Sequence, residues 1–178
     1  AEIDHRAGQL LDAIDDLGVR DNTIVIWTSD NGPERNTPGT AAPLSGTKHT
    51  VFEGGLRVPT IAWWPGKVPA GRVCDEMLCT LDLLPTFAEI GGAKLPKEFK
   101  FDGRSIAKVL TGEAEDAPRE WICALGQGVA IVDPATGRVM PKKDWMARVL
   151  RDKRYKGWAE NRKITRLYDL KNDPFEET

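Results

Sequence analysis

Cysteine is scarce in this chain: Cys74, Cys79 and Cys123 are the only three. They form neither a Cys-x-x-Cys pair nor an even set, which speaks against a disulfide framework and leaves them as buried or idle thiols. No apolar run approaches the roughly 20 residues of a membrane-spanning helix, so no membrane partner is expected. Lys and Arg number 25 against 27 Asp and Glu, a net charge of −2 with no basic run. That balance excludes the electrostatic footprint of nucleic-acid binding and of docking to an anionic membrane. Repeats and low-complexity segments are absent as well. The opening Ala1-Glu-Ile-Asp-His5 is not expected to be a secretory leader, being already a charged amphipathic pattern. It reads as a start in mid-helix, as if cut from something longer.

What is present suffices for one medium domain, or for one large piece and one small one: 178 residues, 40% hydrophobic and 29% charged. Ile3, Ala7, Leu10, Leu11, Ile14 and Leu17 recur at helical spacing, with Gly18 placed to stop the helix. His5 on this helix is given no role. After the turn at Asp21-Asn22, residues 23–27 run apolar or β-branched without alternation, the pattern of a strand buried on both faces in a parallel sheet. A loop over 33–47 follows, too long to be a mere connector. A second apolar strand is expected over 56–64, with Pro59 marking an edge or a strand start. A helix is expected from near Asp82 to Gly91-Gly92, with Pro85 in its first turn. A charged linker over 94–101 holds Pro96, and a short helix ends at Gly112. From Trp121 onward short strands over 121–125, 128–132, 146–150, 154–158 and 164–168 alternate with turns at 133–137 and 151–153. The expected fold is therefore α/β. Residues 1–95 would belong to the main α/β sheet domain, and 96–178 to a small α+β subdomain with an antiparallel sheet and a helix.

The polar residues after the first strand carry the chemistry. Ligands of open α/β sheets bind beyond the carboxyl ends of strands, where Asp30 and Asn31 stand. A carboxylate beside an amide carbonyl offers hard oxygens suited to Ca²⁺ or Mg²⁺. The same run, Ser29-Asp-Asn-Gly-Pro33, is equally good turn chemistry with no metal.

Three segments resemble the sulfatase (arylsulfatase-type) family of the alkaline phosphatase superfamily. They are Asp21-Asn-Thr-Ile-Val-Ile-Trp-Thr-Ser-Asp-Asn-Gly32, then Pro43-Leu-x-Gly-x-Lys48 with Glu53-Gly-Gly-x-Arg-Val-Pro59 and Trp64-Pro-Gly66, and the tail Arg166-Leu-Tyr-Asp-Leu-Lys-Asn-Asp-Pro174. Asp82-Leu-Leu-Pro-Thr86 and Asp102-Gly-Arg-Ser105 support them, in the same order along the chain. The resemblance implies the C-terminal part of an alkaline-phosphatase-like α/β domain and hydrolysis of sulfate esters. It implies Asp30 and Asn31 as ligands of the cation, usually Ca²⁺, and Lys48 as the catalytic, sulfate-contacting lysine near the leaving oxygen. An ammonium suits that place because it brings charge and donors to an oxyanion. His49 stands where the family often has a small residue, and both a substrate contact and a bystander role are open to it. Glu53 and Arg57 read as an ion pair that staples the loop, Trp63 and Trp64 as packing, and Tyr168 and Asp169 as structure in the terminal sheet.

The family's nucleophile is a formylglycine made from Cys or Ser in a Cys/Ser-x-Pro-x-Arg motif, and no cysteine or serine here stands in one. The family's paired N-terminal aspartates are missing too. The nucleophile is therefore expected outside this chain, and the chain alone is expected to be inactive. Its substrate would be a sulfated small molecule or carbohydrate. Self-association, or pairing with a missing N-terminal half, would cover the exposed strand. The resemblance leaves two alternatives: phosphodiester or phosphonate monoester hydrolysis, and a non-catalytic oligomerising module. Relatives are often exported, to periplasm, lysosome or medium; the compartment of this protein is left open.

Overall fold

The computed structural model describes residues 2–126, 131–132, 139–140, 148–160 and 163–177. Contacts divide the chain into two compact units, residues 1–28 with 60–118, and residues 29–59 with 119–178. This differs from a division at 95/96, because residues 29–59 gather with the terminal sheet and 96–118 pack with the helices before them. The result is a mixed helix-and-sheet structure of the α/β class.

In the first unit, α1 (Glu2–Asp16) carries Glu2 and Asp4 in its first turn, where carboxylates complement the helix dipole. Its end is a Schellman motif: the Val19 N–H reaches the Ile14 carbonyl and the Gly18 N–H that of Asp15. Gly18 sits at φ +67, a conformation that costs a side-chain-bearing residue steric strain. The apolar stripe is as expected, yet only Ile14 is buried, and Ile3, Leu10 and Leu17 are exposed.

Strand β1 (Val25–Thr28) corrects the reading of a doubly buried strand in a parallel sheet. It pairs antiparallel with β2 (Thr60–Trp63), from Val25 opposite Trp63 to Thr28 opposite Thr60. Trp27 and Ile61, opposite each other, are both exposed. The second strand is also shorter than expected, because residues 53–56 form one helical turn, α2 (Glu53–Leu56), and the strand starts only after Pro59. Trp64 is held by its indole N–H on the Asp21 carbonyl, and the Arg20 guanidinium lies over the Trp63 ring.

Helix α3 (Leu83–Ile90) and α4 (Ala107–Thr111) fall where the sequence puts them. The Asp82 carboxylate, wholly buried, accepts from the Cys79 and Arg104 backbone N–H groups. The Thr86 hydroxyl donates to the Asp82 carbonyl and accepts from the Ile106 N–H. Two motifs twenty residues apart are thus one hydrogen-bonded corner, beside a core of Ile106, Val109 and Ala117. Cys74 is exposed rather than buried, and so is Cys123 in the other unit.

The second unit is built on an antiparallel sheet ordered β3-β6-β7-β8, from β3 (Ile122–Leu125), β6 (Arg148–Arg151), β7 (Tyr155–Glu160) and β8 (Lys163–Asp169). A further pair joins β4 (Ile131–Val132) to β5 (Val139–Met140). The expected turn at 133–137, and parts of the strands expected over 128–132 and 146–150, lie outside the described residues. Val149, Trp158, Tyr168 and Leu170 form the inner face with Val51, and the Phe52 ring packs on Trp158 at 4.7 Å. The sheet's cover is thus the segment leading into one-turn helix α2.

Tyr168 and Asp169 have the structural role expected of them. Tyr168 is in the core, and the Asp169 carboxylate takes two hydrogen bonds from Arg154, at 3.0 and 2.7 Å. The Arg154 hydrogen bonds hold the Asp169 carboxyl below its ordinary value. A carboxyl depressed in the folded state stabilises above its unfolded pKa and stops doing so as pH falls through the folded one. Asp169→Asn should therefore lower the melting temperature at neutral pH, and the gap to wild type should close below about pH 4. A gap that stays constant into acid would contradict this.

Candidate functional site

The site forms wholly within the second unit, and bare backbone positions it. The Gly32 N–H donates to the Gly55 carbonyl at 3.0 Å, and the Gly54 N–H to the Ser45 carbonyl at 2.7 Å. A Cβ on Gly32 would lie 1.9 Å from the Gly54 carbonyl oxygen, and one on Gly55 2.4 Å from that of Thr50. The first contact needs a bare Gly32, and the second lets the Thr47–Thr50 turn close on Gly55. The Lys48 N–H then donates to the Pro33 carbonyl at 2.9 Å, tying the lysine's own backbone to the residue after Gly32. Residues 47–50 form a turn, closed by the Thr50 N–H on the Thr47 carbonyl and by the Thr50 hydroxyl on the same oxygen.

Asn31, Lys48, His49 and Thr50 line one cavity of about 260 Å³, together with Leu56 and Leu125. Lys48 is partly exposed, its Nζ 3.8 Å from a carboxylate oxygen of Glu34. That long, solvated pair holds the ammonium weakly and leaves it free to exchange Glu34 for an incoming anion. Asp30 is exposed and is not among the residues lining the cavity. The fold therefore brings Asn31, Lys48 and His49 to one cavity, and Asp30 is not among its lining residues. Among the described residues no three His, Cys, Asp or Glu side chains form a metal cluster. The donors Asp30 and Asn31 are of the right kind for a hard divalent cation, but Ca²⁺ takes six to eight oxygens, so they fit part of a shell.

The loop's anchor is not the one expected. Glu53 does not pair with Arg57, which is exposed; only the Arg57 backbone N–H returns to the Glu53 carbonyl. Glu53 is buried and faces Lys156 Nζ at 3.1 Å and Arg151 Nε at 3.4 Å. Lys156 also meets Glu176 at 2.9 Å, and both those side chains are fully buried. The second Glu176 oxygen accepts from the Glu53 N–H at 2.6 Å, capping the first turn of α2. Two carboxylates and two cations thus balance, joining the loop, the sheet and the tail. Sequence reasoning missed this because the partners lie 103 and 123 residues away. One signal was available: Lys156 shares the inward face of β7 with Trp158. Lys156→Met should cost about 3–5 kcal/mol in denaturant unfolding, by leaving the buried Glu176 carboxylate without a cation and Glu53 with Arg151 alone. The triple variant with Glu53→Gln and Glu176→Gln should regain most of it; equal stability of the single variant and wild type would contradict the cluster's role.

The sulfatase family model matches residues 1–93. The chain belongs to the sulfatase family. Mouse arylsulfatase G is 39% identical over 127 residues, covering 64% of this chain and 24% of that protein. Dog N-acetylgalactosamine-6-sulfatase is 39% identical over 122 residues, covering 66% and 23%. The crystal structure of Ps i-CgsB superposes with a TM-score of 0.82 at 28% identity, over 99% of this chain and 36% of that one. The sulfatase chain thus spans about a quarter of the length of the curated relatives it matches, and its α/β fold is that of solved sulfatases.

Proposed function

We propose that this sulfatase chain supplies the anion-binding side of a sulfate-ester hydrolase, with Lys48 as the group that meets the sulfate. The observation that carries the reading is the shared cavity of Lys48 and Asn31 on a chain of this family. The Lys48 ammonium brings a full positive charge and three donors to an oxyanion, which gathers negative charge as the ester bond breaks. Its solvated partner Glu34 is displaced at little cost. Asp30 and Asn31 would hold part of the shell of a Ca²⁺ or Mg²⁺ ion. Such an ion, when bound, adds Lewis-acid stabilisation of the same oxygens. The interlock of Gly32 with Gly54 and Gly55 keeps Asn31 and Lys48 in register, so that the anion meets preorganised groups.

No Cys/Ser-x-Pro-x-Arg occurs in these 178 residues, so the attacking group comes from other polypeptide in this reading, and the chain alone binds without turning over. The chain should bind inorganic sulfate, seen as amide shifts at Lys48 and Gly55. Lys48→Met should weaken that binding about tenfold, the order of one charge-assisted hydrogen bond. It should release no nitrophenol from 4-nitrophenyl sulfate. Turnover by the chain would refute its incompleteness, and sulfate binding indifferent to Lys48→Met would refute the site.

A further inference from the structure

His49 and Glu176 are the two non-glycine residues with positive φ among those described, at +72 and +57. Glu176 has a structural reason to hold such a conformation, because its buried carboxylate caps α2 and pairs with Lys156. His49 has none of that kind. Its side chain is exposed, and among the described residues no hydrogen bond or ion pair holds its imidazole. It is the third residue of the Thr47–Thr50 turn, the place where a positive φ favours glycine or asparagine. A glycine there would close the same turn without strain. Strain kept where nothing in the fold uses the side chain points to a ligand. His49 lines the same cavity as Lys48 and Asn31.

We propose that His49 is a specificity-determining residue of the anion cavity, one whose imidazole hydrogen-bonds a sulfate oxygen beside the Lys48 ammonium. The two residues are consecutive in the turn and line one cavity, the placement from which one tetrahedral anion would meet both. This rests on the reading of Lys48 as the anion site. The cavity then has two ligand groups of different kind, a point charge and a directional ring nitrogen. A ring nitrogen selects ligands that present an oxygen at its own place, which a bare charge does not.

The test separates strain from contact by comparing His49→Ala, which keeps the strain and removes the ring, with His49→Gly, which removes both. Sulfate is titrated against the labelled full chain, and melting temperatures are taken on the same samples. Both variants should bind sulfate about fivefold or more weakly, to the same extent, while His49→Gly melts about 1–3 °C above His49→Ala. His49→Asn tolerates the turn, keeps a donor and should retain part of the binding. Wild-type affinity in His49→Ala and His49→Gly overturns the assignment, and so does a loss confined to one of them. If Lys48→Met still weakens binding in that case, the anion site itself stands. No wild-type sulfate binding, or binding unaffected by Lys48→Met, overturns both.

Discussion

The contact of Gly32 with Gly54 and Gly55 is the constraint on which the site depends. Hydrogen-bonded backbones normally keep side chains between themselves and the next layer. Here the absent side chain of Gly32 lets two loop segments meet directly, and a single methyl group there would overlap the Gly54 carbonyl oxygen. Asn31 precedes this contact by one residue, and Lys48 is tied by its N–H to the residue that follows it. The backbone that carries these polar side chains is therefore set by main-chain contacts, while the Lys48 ammonium keeps its own freedom.

A loop held only by backbone contacts would be weakly fixed, because few apolar groups are buried in it. The buried charges supply the missing anchor. Glu53 opens the helical turn that carries Gly54 and Gly55, and its carboxylate reaches the Lys156 ammonium on the sheet while its N–H is capped by Glu176 of the tail. Val51 and Phe52 add the apolar part by packing on Trp158 and its neighbours. The loop, the sheet and the tail are then held together as one unit. That explains why residues 29–59 gather with the terminal sheet rather than with the strand that precedes them in sequence.

Much of this was legible from the residues. Periodicity located α1, start and stop signals located α3, and turn signals separated the terminal strands. The family motifs marked Asp30, Asn31, Lys48 and the Glu-Gly-Gly run. The sequence misled where neighbours in the chain were taken for neighbours in space. Glu53 and Arg57, four apart, suggest a local pair, yet Glu53 points to residues a hundred positions on. The unbroken apolar run of β1 suggested burial on both faces, but Trp27 and its cross-strand neighbour Ile61 are exposed in an antiparallel pair. An apolar run reports what a strand can bury, not what lies against it. The glycines were visible as permissive positions, but nothing in their spacing said that Gly32 and Gly54 would touch.

Amide hydrogen exchange of Gly32→Ala tests the interlock most directly. The account predicts that the Lys48 and Gly54 amides exchange at least about tenfold faster than in wild type, while amides of the central strand β7 stay protected, as expected for local rather than global opening. Unchanged protection at Lys48 and Gly54 would show that the two backbones do not hold each other, and would contradict the account.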